Sequence, residues 1–166
     1  LYRTLSRGMG HDNAMPTWSH LPPQSRHAVI AYIKTFSPKK FARQGRAKVV
    51  PIPPRKPSTN ESIAAGMQWY KDIECFKCHG VFGQADGPST PTLKDSWNNK
   101  IVPPDLSKPW LHIAGSEPED IYRTLSTGLT GSAMPALEWT LNEDQTWDVV
   151  NFLMHEFINP GKNAPR

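Results

Sequence analysis

The sequence predicts an all-α chain whose helices are joined by long loops. Three observations carry that expectation. Three helix-start signatures occur, Ser58–Glu61, Ser116–Glu119 and Thr140–Glu143, each a Ser or Thr followed three residues later by Glu. No stretch alternates apolar and polar residues as a half-buried strand requires. Residues 80–115 carry Gly, Pro, Asp and Ser with no period, which marks loop. A loop of that length inside a compact domain is unusual unless it wraps something.

The first signature opens a helix over Ile63–Lys71. The second opens one that runs to about Ser126 and stops at Gly128, a residue suited to a helix C-terminus. The third opens a helix to about Phe157, in which Trp147, Val150, Leu153, Met154 and Phe157 form an apolar stripe. Asn159-Pro160-Gly161 ends it. Met67 and Met154 read as core filler on the apolar faces of their helices.

An internal repeat organises the chain. Tyr-Arg-Thr-Leu-Ser occurs at 2–6 and again at 122–126. In both copies a Gly follows two residues on, then Ala-Met-Pro around Met15 and Met134, then a helical pattern. Residues 1–35 therefore read as the back half of a domain whose front half is not in the sequence. Residues 36–57 read as a basic, Pro-rich linker, 58–160 as a complete domain and 161–166 as a tail.

With 166 residues there is room for one domain of about 100 residues and something smaller. Net charge is +4 and mean hydropathy −0.55. No apolar run approaches the roughly 18 residues of a membrane span. The opening "LYRTLSRGMG" is not a signal peptide, so export would require a signal that is removed or lies outside this sequence. The basic excess gathers in 38–57 at Lys39, Lys40, Arg43, Arg46, Lys48, Arg55 and Lys56, with no acid among them. The prolines suit a solvated spacer, and no nucleic-acid-binding pattern accompanies the charge. Nucleic acid is not an expected partner.

The two cysteines sit in Glu74-Cys75-Phe76-Lys77-Cys78-His79-Gly80. A thioredoxin-like redox pair needs a βαβ context, which is lacking. A structural zinc site needs four ligands, and no second pair follows. A disulfide across so small a ring would close little chain. Cys-x-x-Cys-His is also the signature of covalent haem attachment, and only that reading gives each position a role. One helical turn offers both thiols to the two vinyl groups on one porphyrin edge, and the adjacent His79 reaches the iron. Zinc and redox chemistry remain the competing readings. For the sixth iron position Met134 is the best candidate, because Pro135 holds it in an extended loop and thioether sulfur suits haem iron. His112 and His155 are rivals; His155, beside Glu156, reads as solvated.

These pieces resemble a class I c-type cytochrome over about residues 58–158. Gly66 and Tyr70 are similar to the family's first-helix pattern, where a small residue lets the first and last helices cross closely. "GQADGP" resembles the family's Gly-x-Gly-Asp-Gly-Pro loop, with Ala85 where Gly is usual, and "PPDLS", "IYRTLSTGLTGSAMP" and "WDVVNFL" follow in the family's order. The resemblance implies a class I cytochrome c fold of about three to five helices around a haem, with His79 and Met134 as axial ligands. It also implies that the Pro88 carbonyl accepts from His79 Nδ1–H. Residues 1–35 resemble the distal-ligand half of a second such domain, so the whole looks like a tandem di-haem cytochrome with Met15 as axial ligand of a second haem. This chain attaches only one haem covalently, since no Cys precedes Met15. Trp97, Trp110 and Trp139 are candidates to line the haem pocket, with indole N–H groups reaching propionates, and Arg123 is a candidate propionate partner.

The expected function is single-electron transfer to or from a redox partner, an oxidoreductase, an oxidase or another cytochrome. The chain would act as a carrier or as a subunit of an oxidoreductase complex rather than as an enzyme. The alternative is a haem enzyme or gas sensor, peroxidase-like, with an open or labile sixth position. By the same resemblance the location is periplasmic or otherwise extracytoplasmic.

Overall fold

Pro118 and Gly128 bound one of the three helices that carry the core. Pro118 stands at the first turn, where its missing N–H costs nothing, and Gly128 takes φ 63° to end the helix. In a computed structural model that describes residues 1–8, 15–38, 41 and 50–160, this helix is Pro118–Thr127. The chain separates into two units, Leu1–Val49 and Val50–Arg166. The basic residues Lys39, Lys40, Arg43, Arg46 and Lys48 and the tail 161–166 lie outside the described residues.

Every regular element described is helical, apart from one isolated antiparallel bridge between Lys94 and Lys100. The first unit holds α1 (Tyr2–Arg7) and α2 (Pro23–Thr35). The second holds α3 (Asn60–Asp72), α4 (Phe76–His79), α5 (Pro118–Thr127) and α6 (Glu143–Leu153), the last continuing as a π-turn over Met154–Ile158. Residues 80–115, read as loop, contain only short 3-10 turns at Thr90–Thr92 and Pro109–Leu111.

The helix starts differ from the sequence reading by one or two residues. Thr59, not Ser58, caps α3 by accepting from Ser62 N–H. Asn142, not Thr140, caps α6, in a capping box completed by Gln145. Glu117 precedes α5 with no side-chain cap bond, because Pro118 already removes one of the orphan donors. Met67, expected in the core, is exposed, whereas Met154 is buried as expected.

The core of the second unit is built by α3, α5 and α6. Trp147, Val149, Val150, Phe152, Leu153, Met154 and Phe157 are buried along the last helix, against Tyr70, Ile121, Tyr122 and Leu125. Gly66 lets α3 cross α6 closely, since a Cβ there would collide with the Asp148 carbonyl and the Phe152 Cβ. The residues read as the end of a linker belong to this unit. Ile52 packs on its core. Lys56 Nζ lies 2.7 Å from the carboxylate of buried Asp148. Asn151 Nδ2 donates to the Pro57 carbonyl at 3.2 Å and to Ser62 Oγ at 2.9 Å.

Candidate haem site

Glu74 makes the site's geometry possible. It adopts φ 63°, which ends α3 and reverses the chain into the turn that carries both thiols. Cys75 stands before α4 and Cys78 and His79 lie on it, with His79 N–H donating to the Cys75 carbonyl at 2.9 Å. Both cysteines are free and half-buried. Burial pushes the Cys75 thiol up to about 12, the opposite of the depressed value that a redox-active Cys-x-x-Cys uses. Among the described residues no group of three or more His, Cys, Asp or Glu is placed to hold a metal ion on its own.

The loop after the turn caps it. The last carbonyls of so short a helix have no intrahelical partner. Here the carbonyls of Lys77, Cys78 and His79 accept in succession from Ser89 N–H at 2.8 Å, Thr90 Oγ1 at 2.8 Å and Ala85 N–H at 3.0 Å. Tyr70 Oη donates to the Gly80 carbonyl at 2.7 Å, tying α3 to the same turn. Gly87 is needed at the closest approach, where a Cβ would strike the Lys77 carbonyl.

Burial holds the His79 imidazole below its usual value; the Pro104 backbone opposes that effect and the nearby His112 adds to it. The ring is therefore neutral near pH 7, the form that ligates iron. Pro88, expected to face His79, belongs instead to the capping loop, and the backbone acceptor beside the ring is Pro104. The reason is a long-range closure. Leu106 N–H donates to the Gly83 carbonyl at 2.7 Å, and buried Leu106 lies against Gly83. This draws "PPDLS" in beside the turn. His79 Nδ1 is buried without a closed hydrogen bond, as are both ring nitrogens of His112. Two free thiols, a neutral imidazole and buried polar atoms awaiting partners, all gathered at one turn, fit a haem.

A family profile described as Cytochrome c matches residues 63–156. The chain belongs to the cytochrome c family.

For this cytochrome c, membership implies covalently bound haem c, with the match spanning the turn just described. No curated protein sequence matches the chain significantly. Among solved structures it is similar to a chain of the reducing HAO-like protein complex of Kuenenia stuttgartiensis. That chain is 31% identical with a TM-score of 0.83, and the match covers 94% of this chain and 70% of that one.

The other residues singled out from the cytochrome's sequence are placed as follows. Met134 is half-buried against the core; its N–H donates to Ser132 Oγ at 3.1 Å and its carbonyl accepts from Leu129 N–H at 3.1 Å. Trp97 packs over Gly131, beside that loop, while remaining largely exposed. Trp110 and Trp139 are exposed. Arg123 pairs with Asp120 at 2.8 Å on the surface of α5. His155 Nδ1 meets Glu156 Oε1 at 2.9 Å. Pro104 and Tyr70 Oη are the contributors that the sequence reading missed. For Pro104 no local signal was available, because its role depends on which loop closes onto the turn.

Proposed function

We propose that this cytochrome c transfers single electrons through a haem joined to Cys75 and Cys78, with His79 and Met134 as its axial ligands. The observation that carries the reading is the capped turn holding two free thiols beside a buried neutral imidazole. Bound haem supplies an iron that cycles by one electron. The chain's residues supply the rest. The thiols fix the ring, the carbonyl-capping loop keeps the turn rigid, His79 offers a lone pair, and Pro135 holds the Met134 thioether on an extended segment. If His79 and Met134 both hold the iron, no position would be left open for substrate, which favours a carrier over a peroxidase or sensor. The solved relative belongs to a protein complex, and this supports a stable redox partner, an oxidoreductase or another cytochrome. Acid denaturation and organic extraction of the purified protein test the attachment: colour must stay with the polypeptide. The ferric protein must show the weak far-red band of thioether-bound iron, and the reduced protein must resist carbon monoxide. Ready carbon monoxide binding would favour the enzyme or sensor reading.

We further propose that residues 1–35 are the distal-ligand half of a second haem domain, with Met15 in the role of Met134. The internal geometry of the two copies supports this. Tyr2 stacks on His27 at 4.7 Å as Tyr122 packs on Trp147 at 4.6 Å. Gly8 N–H bonds the Thr4 carbonyl at 2.8 Å as Gly128 N–H bonds that of Thr124 at 2.9 Å. Gly8 and Gly128 both take positive φ, and a Cβ on either would meet the carbonyl of the copy's own methionine. Trp18 N–H reaches the Leu5 carbonyl at 2.9 Å as Leu137 N–H reaches that of Leu125 at 2.9 Å. Intact mass of the protein isolated from its source counts the covalent haems: two support the reading, one rejects it.

A further inference from the structure

A small hairpin stands over the loop that carries Met134. Residues 93–101 fold back on themselves. Ile101 N–H donates to the Leu93 carbonyl at 3.1 Å, Asp95 N–H to that of Asn99 at 2.9 Å and Asn98 N–H to that of Asp95 at 3.0 Å. Side chains set the tip. Asp95 Oδ1 accepts from Trp97 N–H at 2.9 Å and Asn99 N–H at 2.8 Å, and Oδ2 from Asn99 Nδ2 at 3.0 Å. With the Asn99 side chain foremost, these bonds hold the Asp95 carboxyl below its usual value. Asn98 takes φ 68°, which asparagine tolerates better than most residues, and its Oδ1 accepts from Lys94 Nζ at 2.9 Å. So ordered a tip, presenting a tryptophan that is 74% exposed, calls for a role.

The tip meets the methionine loop at Gly131. That loop is closed on itself by Leu129 N–H donating to the Met134 carbonyl at 3.1 Å, and by Ser132 N–H and Oγ donating to the Leu129 carbonyl at 3.0 and 2.8 Å. The hairpin adds a tie from outside. Ser96 N–H donates to the Gly131 carbonyl at 3.0 Å. The Trp97 ring covers the same residue so closely that a Cβ on Gly131 would stand 3.1 Å from it. Gly131 takes φ 89°, so the loop's turn and its fit under the indole call for the same glycine. We propose that the 93–101 hairpin braces the methionine loop, with Asp95 and Trp97 as positioning residues that keep the Met134 thioether in place. Asp95 sets the tip, the tip sets Ser96 and Trp97, and those two hold Gly131, three residues before Met134. The inference rests on Met134 being an axial ligand. An added ligand competes in proportion to the fraction of molecules whose thioether is off the iron, so a loosened brace is read as tighter binding of a competitor.

The test uses holoprotein whose covalent haem has first been verified by mass. Trp97→Ala removes the cover and Asp95→Ala frees the tip, while Asp95→Asn keeps the Oδ1 acceptor. Imidazole added to the ferric protein is the probe, and loss of the far-red thioether band is the readout. Trp97→Ala and Asp95→Ala are expected to bind imidazole about fivefold more tightly, the weight of one net hydrogen bond lost from the loop. Asp95→Asn stays near wild type. Amide exchange at Leu129 and Ser132, whose N–H groups close the loop, is expected to quicken in the two alanine variants alone. Imidazole binding unchanged in those variants overturns the proposal even where their urea midpoints fall, since that marks stability only. Equal shifts in Asp95→Ala and Asp95→Asn also overturn it, because the bonds at the tip then position nothing. A wild-type protein without the far-red band, or a Met134→Ala variant that keeps it, refutes the ligand reading instead. The brace is then judged by amide exchange, and unaltered exchange in Trp97→Ala rejects it. Should Trp97→Ala fail to fold, proton NMR of the reduced wild-type protein decides. Through-space contacts from the Trp97 ring to the Gly131 α-protons are expected, and their absence rejects the role.

Discussion

Ala85 shows how one side chain can strain a site that the backbone has already shaped. The loop needs φ 63° there to bring Ala85 N–H to the His79 carbonyl, and a Cβ at positive φ costs about 1–2 kcal/mol. Ala85→Gly is therefore expected to stabilise the protein by about 1 kcal/mol, after the entropy lost with glycine, read as a higher urea midpoint at unchanged slope. At the thiols the expectation is qualitative. Cys75→Ala and Cys78→Ala each leave a single attachment bond, and the double variant releases its haem to acidified organic solvent. Met134→Ala removes the far-red band and opens the iron to carbon monoxide, while the covalent attachment persists.

Among the elements, the crossing of α3 over α6 carries the second unit. Its contact is a glycine against a backbone carbonyl, so Gly66→Ala forces the helices apart. A loss of about 1–3 kcal/mol is expected, the usual range for overpacking, measured by thermal or urea unfolding. Tyr70 links that crossing to the site through its bond to Gly80. Tyr70→Phe keeps the ring among Phe152 and Phe157 but leaves the buried Gly80 carbonyl with only the long 3.4 Å bond from Gly83 N–H, which costs about 1 kcal/mol. The Gly66 and Tyr70 signals were legible in the sequence because they lie one turn apart on one helix. The cap residues were misplaced by one or two positions because Ser, Thr and Asn at neighbouring sites offer competing oxygens, and tertiary packing selects among them.

At the level of the molecule, two half-buried histidines make stability depend on pH. Burial lowers the folded values of both His79 and His112 from 6.5. Below that value the unfolded chain binds more protons than the folded one, so stability falls as pH drops and is flat above about pH 7.5. A lower urea midpoint at pH 5.5 than at about pH 7.5 is expected, with a shallower slope in His112→Gln. The sequence by itself determined the helical class, the Cys75–Cys78–His79 turn, Met134 on its Pro-braced loop and the repeat, because each is written in residues a few positions apart. Only the tertiary structure decided that Pro88 lies in the loop capping the turn, that Leu106 closes onto Gly83, that Arg123 pairs with Asp120 on the surface and that Val50–Pro57 belongs to the second unit. Those facts depend on which distant segments close on one another. Local propensity does not encode that choice; burial of Leu106 against Gly83 and the Lys56–Asp148–Asn151 network do.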